Sequence, residues 1–217
     1  MSVPGWQEHE LLELGRRVRK QTRTRMGAMR RALPASAVAL RSASIIRQLE
    51  ASGLLAQVRA VGSFWPLDGQ AEVDLRALDE ALMHRGIARF YPFMDPSERG
   101  HVTGFRRIER REDLAERGQK FLEPPRDAPV ARRGDLDLVL VPALAVTPDG
   151  QRLGQGSGFY DVTLPDVCPP ALSVVVAYSF QLLGELPLEA HDVACDLVIT
   201  DREVLDPRGI LAARSSG

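Results

Sequence analysis

The stretch LDLVLVPALAVTPDGQRLGQGSGFYD, residues 136 to 161, joins an apolar run to a glycine-rich loop. Its first half, LDLVLVPALAV, shows no polar alternation after Asp137. A strand with one wet face alternates polar and apolar side chains, whereas a strand covered on both faces does not have to. The run therefore predicts a parallel strand buried between two layers. ALSVVVAYS and CDLVITD, further along, read the same way, and REVLDP follows the second. Upstream, AQVRAVGSFWPLDG predicts a buried strand and turn, and IARFYPFM another strand. SAVALRSASIIRQLEAS before the first and EVDLRALDEALMHRG between the two carry helical periodicity, the latter ended by Gly86. Strands alternating with helices predict an α/β fold: an open, mostly parallel, Rossmann-like sheet flanked by helices, with right-handed crossovers. Residues 95–133 have many charges and several prolines, and short strands and loops, some of them mobile, are expected there.

The second half of the opening stretch spaces its glycines G-x-G-x-G, at Gly154, Gly156 and Gly158. This is neither the dinucleotide G-x-G-x-x-G nor a P-loop, which needs Lys-Ser/Thr after its last glycine. Residues without a β-carbon still let backbone N–H groups approach an anion and form a nest for it. Arg152 would add positive charge, and Asp161 could hold a Mg²⁺ ion that bridges phosphate oxygens. Taken alone, the spacing leaves a phosphate cradle and a plain glycine-rich turn both open. Pro165 limits any helix that follows to a short or interrupted one.

At 100° per residue, Leu11, Leu14, Val18, Thr22, Met26, Met29 and Leu33 fall on one stripe, which predicts an amphipathic helix ending near Pro34. Arg16, Arg19, Arg23 and Arg30 flank the stripe, and Lys20 points the other way. A flanking arginine can rest its stem on the core and aim its head at a cleft. A charge run of this kind is also what a solvated helix face looks like.

The 217 residues are enough for one substantial core, and a single domain over 1–217 is expected. With 44% hydrophobic and 26% charged residues the composition is that of a globular protein. A net charge of −1 gives no field that would gather nucleic acid. No apolar run approaches the roughly 20 residues of a membrane span, and MSVPGWQEHE has no apolar signal core. Neither nucleic acid nor membrane is expected as a partner, and the expected setting is cytoplasmic. Cys168 and Cys195 make no disulfide framework and read as reduced, mostly buried thiols. His9, His84, His101 and His191 lack ligand spacing, and Phe64 and Trp65 read as core.

DLVLVPALAVTPDGQRLGQGSGFYD resembles the signature of the 5-formyltetrahydrofolate cyclo-ligase family, in which Val-Pro-Gly-Leu-Ala leads to Arg-Leu-Gly-x-Gly-x-Gly-Tyr-Tyr-Asp. EVDLRALDEALMHRG, FLEPP and HDVACDLVITD resemble further family blocks, in family order. The resemblance implies an isomerase/CoA-transferase-like topology and an ATP- and Mg²⁺-dependent ligase that converts 5-formyltetrahydrofolate to 5,10-methenyltetrahydrofolate through a phosphorylated formyl group. It implies ATP binding by Arg19, Arg23, Arg152, Gly154, Gln155, Gly156, Ser157, Gly158, Phe159 and Tyr160, with Arg152, Tyr160 and Arg23 catalytic. Folate contacts fall to Leu67, Asp74, Gln155 and Phe159, with Glu72 as the acid if the PLDGQA loop is aligned differently. The implied metal carboxylates are Asp161 and Asp192, and the implied assembly is a monomer or weak homodimer. This sequence departs from the family at Arg19 (usually Lys), Ala143 (Gly), Phe159 (Tyr) and at Gln119 and Lys120, where an aromatic-Gly pair is usual. Those departures leave a non-catalytic nucleotide- or folate-binding relative as the alternative. Asp74 could equally cap the third helix.

Overall fold

A computed structural model describes residues 8–98, 100–119 and 121–215. The chain runs α1 (Glu8–Arg31), α2 (Ala35–Ala51), β1 (Ala60–Gly62), α3 (Arg76–His84), β2 (Ala88–Ser97), β3 (Gly100–Ile108), β4 (Ala115–Glu116), β5 (Leu122–Glu123), β6 (Leu138–Pro142), β7 (Ala145–Val146), β8 (Arg152–Leu153), α4 (Phe159–Val167), β9 (Leu172–Val176), β10 (Leu197–Ile199), β11 (Val204–Leu205) and α5 (Ile210–Ser215). Among the described residues the main sheet has seven strands, in the order β11-β10-β9-β6-β1-β2-β3. The five central strands pair in parallel, and β3 and β11 run antiparallel at the two edges. The expected α/β sheet is therefore present. Among the described residues no helix is long and apolar enough to cross a membrane.

The unbroken apolar pattern of β6 has the anticipated cause. Leu138 and Leu140 pack on one face against Ile45 and Leu49 of α2 and Leu78 and Leu82 of α3. Val139 and Val141 pack on the other, against Phe105 of β3 and Phe159, Leu164 and Val167 of α4. Successive side chains point to opposite faces, so covering both faces requires apolar residues at every position. β6 ends at Pro142, sooner than the run LDLVLVPALAV suggests, because proline brings no N–H to a ladder. Ala145 and Val146 then leave the sheet and pair with Leu153 and Arg152 as a separate hairpin.

Three other expectations change. The third helix begins at Arg76, not near Glu72. Residues 95–133 are more regular than expected: β2 and β3 form a long hairpin, paired from Arg89↔Ile108 to Ser97↔Gly100. Arginines inside β3 disguise it. Arg106 is buried, pairs with Asp95 at 2.5 Å, and lays its guanidinium 3.7 Å from the Phe93 ring centroid. The remainder of the segment is short strands and turns, as anticipated.

The third change concerns α1. Leu14 and Met29 of the anticipated apolar stripe are 45% and 41% exposed, whereas Arg19 and Arg30 are buried at 6% and 3%. α1 does not lie on a face of the sheet. Its Met26 packs on Leu144, Ala145 and Leu153, over the end of the sheet. The face turned inward combines Met26 of the stripe with Arg19 and Arg30 of the flank, while Arg16 stays exposed.

Candidate active site

β1 and β6 are neighbours, and the chain moves on from β1 to β2 on one side but from β6 to β9 on the other. In open α/β sheets the crevice beyond the carboxyl ends of such strands is the natural ligand site. A cavity of about 490 Å³ lies there. Phe64 and Trp65 enter it just after β1, Pro142 and Ala143 at the end of β6, and Pro92 and Met94 from β2.

The glycine loop forms the cationic side. Hairpin β7–β8 delivers it, turning at Gly150 with φ 84°. A β-carbon at Gly150 would run into the Cys195 carbonyl oxygen, and its N–H and C=O exchange bonds with Thr147 and Cys195, so the turn needs glycine. Gly156 (φ 107°) and Gly158 (φ 69°) also sit in the left-handed region, and Gly158 is the N-cap of α4. Gln155, Gly156 and Ser157 are exposed, and the whole loop lines the cavity.

Three arginines of α1 reach three separate segments. Arg19 forks onto Asp192, with Nη2 3.0 Å from Oδ1 and a shorter bond from Nη1 to Oδ2, and also donates to the Pro187 carbonyl at 2.9 Å. Arg23 Nε donates to the Gly154 carbonyl at 3.1 Å. Arg30 Nη2 lies 3.2 Å from Glu72 Oε1. All three side chains line the cavity.

The acids divide unequally. Burial alone would raise the Asp192 pKa, but the Arg19 fork and the Glu189 N–H outweigh it and hold the carboxyl below its ordinary value. Desolvation opposes charge on Arg19 too, and Asp192 and Glu189 overcome it, so its pKa is raised. Asp161 Oδ1 accepts from Arg152 Nη2 at 2.9 Å and from the Val193 N–H at 3.3 Å. Its Oδ2 takes neither bond, and Asp161 lines the cavity. Asp192 does not line it, although its neighbours Glu189 and His191 do. One ligand atom from each of these three lies within 4.8 Å of the others. Arg152 is buried, donates to Asp161 and the Val193 carbonyl, and places its guanidinium 5.8 Å from the Tyr160 ring centroid. Desolvation pushes the Tyr160 phenol well up, with Glu72 adding and Arg152 opposing, so Tyr160 is a neutral O–H donor.

The other side of the cavity is apolar. Phe64, Trp65, Leu67, Met94, Phe121 and Phe159 line it. Phe121 meets Phe159 edge-on with centroids 6.2 Å apart. Gln119 lines the same wall, its amide 3.4 Å from the Met94 carbonyl; Lys120 is outside the described residues.

Of the expected residues, Arg19, Arg23, Arg152, Gly154, Gln155, Gly156, Ser157, Gly158, Phe159, Tyr160, Asp161, Leu67 and Glu72 all meet at this cavity. Asp74 does not. Its carboxylate accepts from the Arg76 N–H at 3.0 Å and side chain at 2.8 Å, which makes it a start signal for α3. Glu72, two residues earlier, takes the place at the cavity. Trp65 and Phe64, read as core, line the cavity, and Trp65 also stacks beneath Arg111 at 4.2 Å. Glu189, His191 and Arg30 carry no sequence signal of a site role beyond the position of Arg30 on the helix flank.

Fold and cavity together define an open α/β protein with an arginine-backed glycine loop facing an aromatic wall at the topological switch point. Residues 16–201 match the family model for 5-formyltetrahydrofolate cyclo-ligases. A 5-formyltetrahydrofolate cyclo-ligase of Mycolicibacterium smegmatis is 45% identical over 91 residues, which is 42% of this chain and 44% of that protein. The Escherichia coli K12 protein of the same name is 32% identical over 149 residues, 66% of this chain and 79% of its own length. The match thus spans under half of the first relative and about four-fifths of the second. The NMR structure of Aquifex aeolicus 5,10-methenyltetrahydrofolate synthetase superposes with a TM-score of 0.75 at 26% identity, over 88% of this chain and 93% of that one. The Mycoplasma pneumoniae synthetase structure, at 21% identity and a TM-score of 0.66, shares the fold over 84% of this chain and 98% of its own. The chain belongs to the 5-formyltetrahydrofolate cyclo-ligase family.

Proposed function

We propose that this protein converts 5-formyltetrahydrofolate to 5,10-methenyltetrahydrofolate with ATP as phosphoryl donor. The observation that carries the reading is the two-sided cavity, with arginines and backbone donors on one side and aromatic residues on the other. A triphosphate needs the first kind of wall and a flat pterin the second. In the reaction the formyl oxygen takes the γ-phosphoryl group, N10 attacks the formyl carbon, and phosphate leaves with that oxygen, yielding ADP and the closed ring. Chemistry of this type depends mostly on positioning and charge stabilisation.

Gly154 to Gly158 would present their N–H groups to the phosphates, with Arg23 fixing the loop from below through the Gly154 carbonyl. Tyr160, neutral and half-buried beside Arg152, would donate its O–H to an oxygen that gains charge. Glu72 and Leu67 would meet the pterin end, and Phe121 with Phe159 would cover it. The residues fit a Mg²⁺ ion, because Asp161 keeps Oδ2 free of the bonds that hold its Oδ1. Asp161 would hold the ion, joined by Asp192 where phosphate takes over part of the Arg19 fork. When bound, Mg²⁺ neutralises phosphate charge. A cytoplasmic setting suits two free thiols.

The test is to mix the protein with 5-formyltetrahydrofolate, Mg²⁺ and ATP and to follow methenyltetrahydrofolate absorbance. Growth of that band that requires ATP is the expected result. ATP binding without turnover would leave a non-catalytic relative.

A further inference from the structure

We propose that Arg30 is the positioning residue for Glu72, fixing the direction in which that carboxylate meets a ligand's N–H groups. The inference rests on the folate reading above and deepens it. Glu72 lines the cavity although it is only 6% exposed. A carboxylate buried to that degree needs its lone pairs met by donors. Oε2 accepts from the Leu67 N–H at 3.0 Å. Oε1 receives Arg30 Nη2 at 3.2 Å and the Gln155 side-chain amide at 3.1 Å.

These donors differ in how firmly they are held. Arg30 is 3% exposed and tied a second time, its Nε donating to the Gln70 carbonyl at 2.8 Å. The Glu72 backbone is pinned as well, its carbonyl accepting from the buried Tyr178 hydroxyl at 2.9 Å. Gln155 sits on the exposed glycine loop. Arg30 and Leu67 therefore hold the carboxylate from behind, and Gln155 is the partner that yields to an incoming donor. A ligand that fits there is a flat heterocycle presenting neighbouring N–H groups, since two parallel donors match a carboxylate. Without Arg30 the acid would lose its guanidinium partner and turn towards Gln155 or water.

Arg30→Met keeps the stem and removes the fork, and Arg30→Lys keeps the charge with a different reach. In Arg30→Met the KM for 5-formyltetrahydrofolate should rise about tenfold, the worth of one charge-assisted hydrogen bond. The KM for ATP should stay within about twofold and kcat should change less than the folate KM. Arg30→Lys should recover part of the loss. An unchanged folate KM, or equal rises for folate and ATP, would overturn the proposal. If Arg30→Met does not fold, by circular dichroism, Arg30→Lys decides on the same comparison: a rise confined to the folate supports it, and parity overturns it. If the wild-type protein fails to convert the folate, the functional reading falls first. Calorimetry with 5-formyltetrahydrofolate then tests Arg30 separately: weaker binding in the variant supports its role, whereas equal affinity or no binding by either protein overturns it.

Discussion

The bond between Arg19 and Asp192 is the best place to test whether buried arginines hold this site together. Their side chains are 7% and 4% exposed, so solvent screens the pair little. Asp192→Asn removes the charge while keeping the shape. Arg19 then remains as a buried cation with Glu189, 3.7 Å away, as its remaining acid, and removing one partner of a buried pair costs about 3–5 kcal/mol. The amide that replaces the carboxylate can still accept from the Glu189 N–H, which places the loss near about 3 kcal/mol. For a chain of this size that corresponds to about 6–12 °C in Tm. The pH dependence has a definite sign. Asp192 has its pKa lowered in the fold, so its contribution is present above the unfolded value of about 3.9 and is lost as pH falls through the folded value. Arg19 is raised, so its share is lost only in strong alkali. The Tm gap between wild type and Asp192→Asn should be flat from about pH 5 to 8 and close below about pH 4. Arg19→Met/Asp192→Asn leaves neither charge and should melt closer to wild type than Asp192→Asn does. Thermal unfolding followed by circular dichroism reads all of this. A gap under about 2 °C at pH 7 would refute the reasoning, because a desolvated cation cannot be left that cheaply. So would a gap that widens on acidification.

Other predictions concern the chemistry and the walls. Asp161→Asn should cripple turnover at saturating ATP and also lower Tm by a few degrees, since an amide oxygen can still accept from Arg152 and the Val193 N–H but leaves the buried guanidinium without its carboxylate; a wild-type rate in the folded variant would remove Asp161 from metal binding. Phe121→Ala takes away the ring against Phe159 and should raise the folate KM by roughly tenfold, on the about 0.5–1.5 kcal/mol of an aromatic pair plus lost apolar cover; steady-state kinetics with the ATP KM as control checks it. Burial pushes the Cys168 thiol up to about 12 and raises Cys195 as well, so both stay protonated at neutral pH. Iodoacetamide should label the native protein far more slowly than the unfolded one, and equal rates would contradict this burial.

Sequence is informative here wherever a residue's role depends on its near neighbours. β6 and β9 are recognisable because both faces of each are covered, and that writes itself as consecutive aliphatic residues. The loop at Gly154–Gly158 is recognisable because left-handed backbone demands glycine at Gly156 and Gly158. β3 is obscured for a physical reason. Its buried Arg106 is neutralised by Asp95 on the partner strand, and a polar residue that finds its partner only in the fold reads as surface. The same ambiguity turns the inner face of α1 into its flank. Arg19 and Arg30 read equally as cleft-facing or solvated until Asp192, 173 positions away, and Glu72 close over them. Asp74 and Glu72 look interchangeable in sequence because both precede the same helix. What separates them is that Asp74 is taken by Arg76 two residues on, whereas Glu72 is taken by α1 and by Gln155, 83 positions away.

These long-range partners explain why an arginine-rich helix belongs at the rim of an α/β sheet. The crevice is assembled from segments that follow β1, β8 and the 187–192 turn, and the strands of the sheet do not fix the spacing of their loops. α1 crosses the ends of these segments and gives each one a guanidinium: Glu72 to Arg30, Gly154 to Arg23, Asp192 to Arg19. An aliphatic helix could cover the same apolar surface, but it would leave two buried carboxylates without a cationic partner and the Gly154 carbonyl without the Arg23 donor. A lysine offers three donors from one nitrogen but no planar fork, whereas Arg19 meets Asp192 at both oxygens and Pro187 besides. The two terminal nitrogens of Arg19 thus serve three acceptors on two segments, although its buried Nε finds no partner.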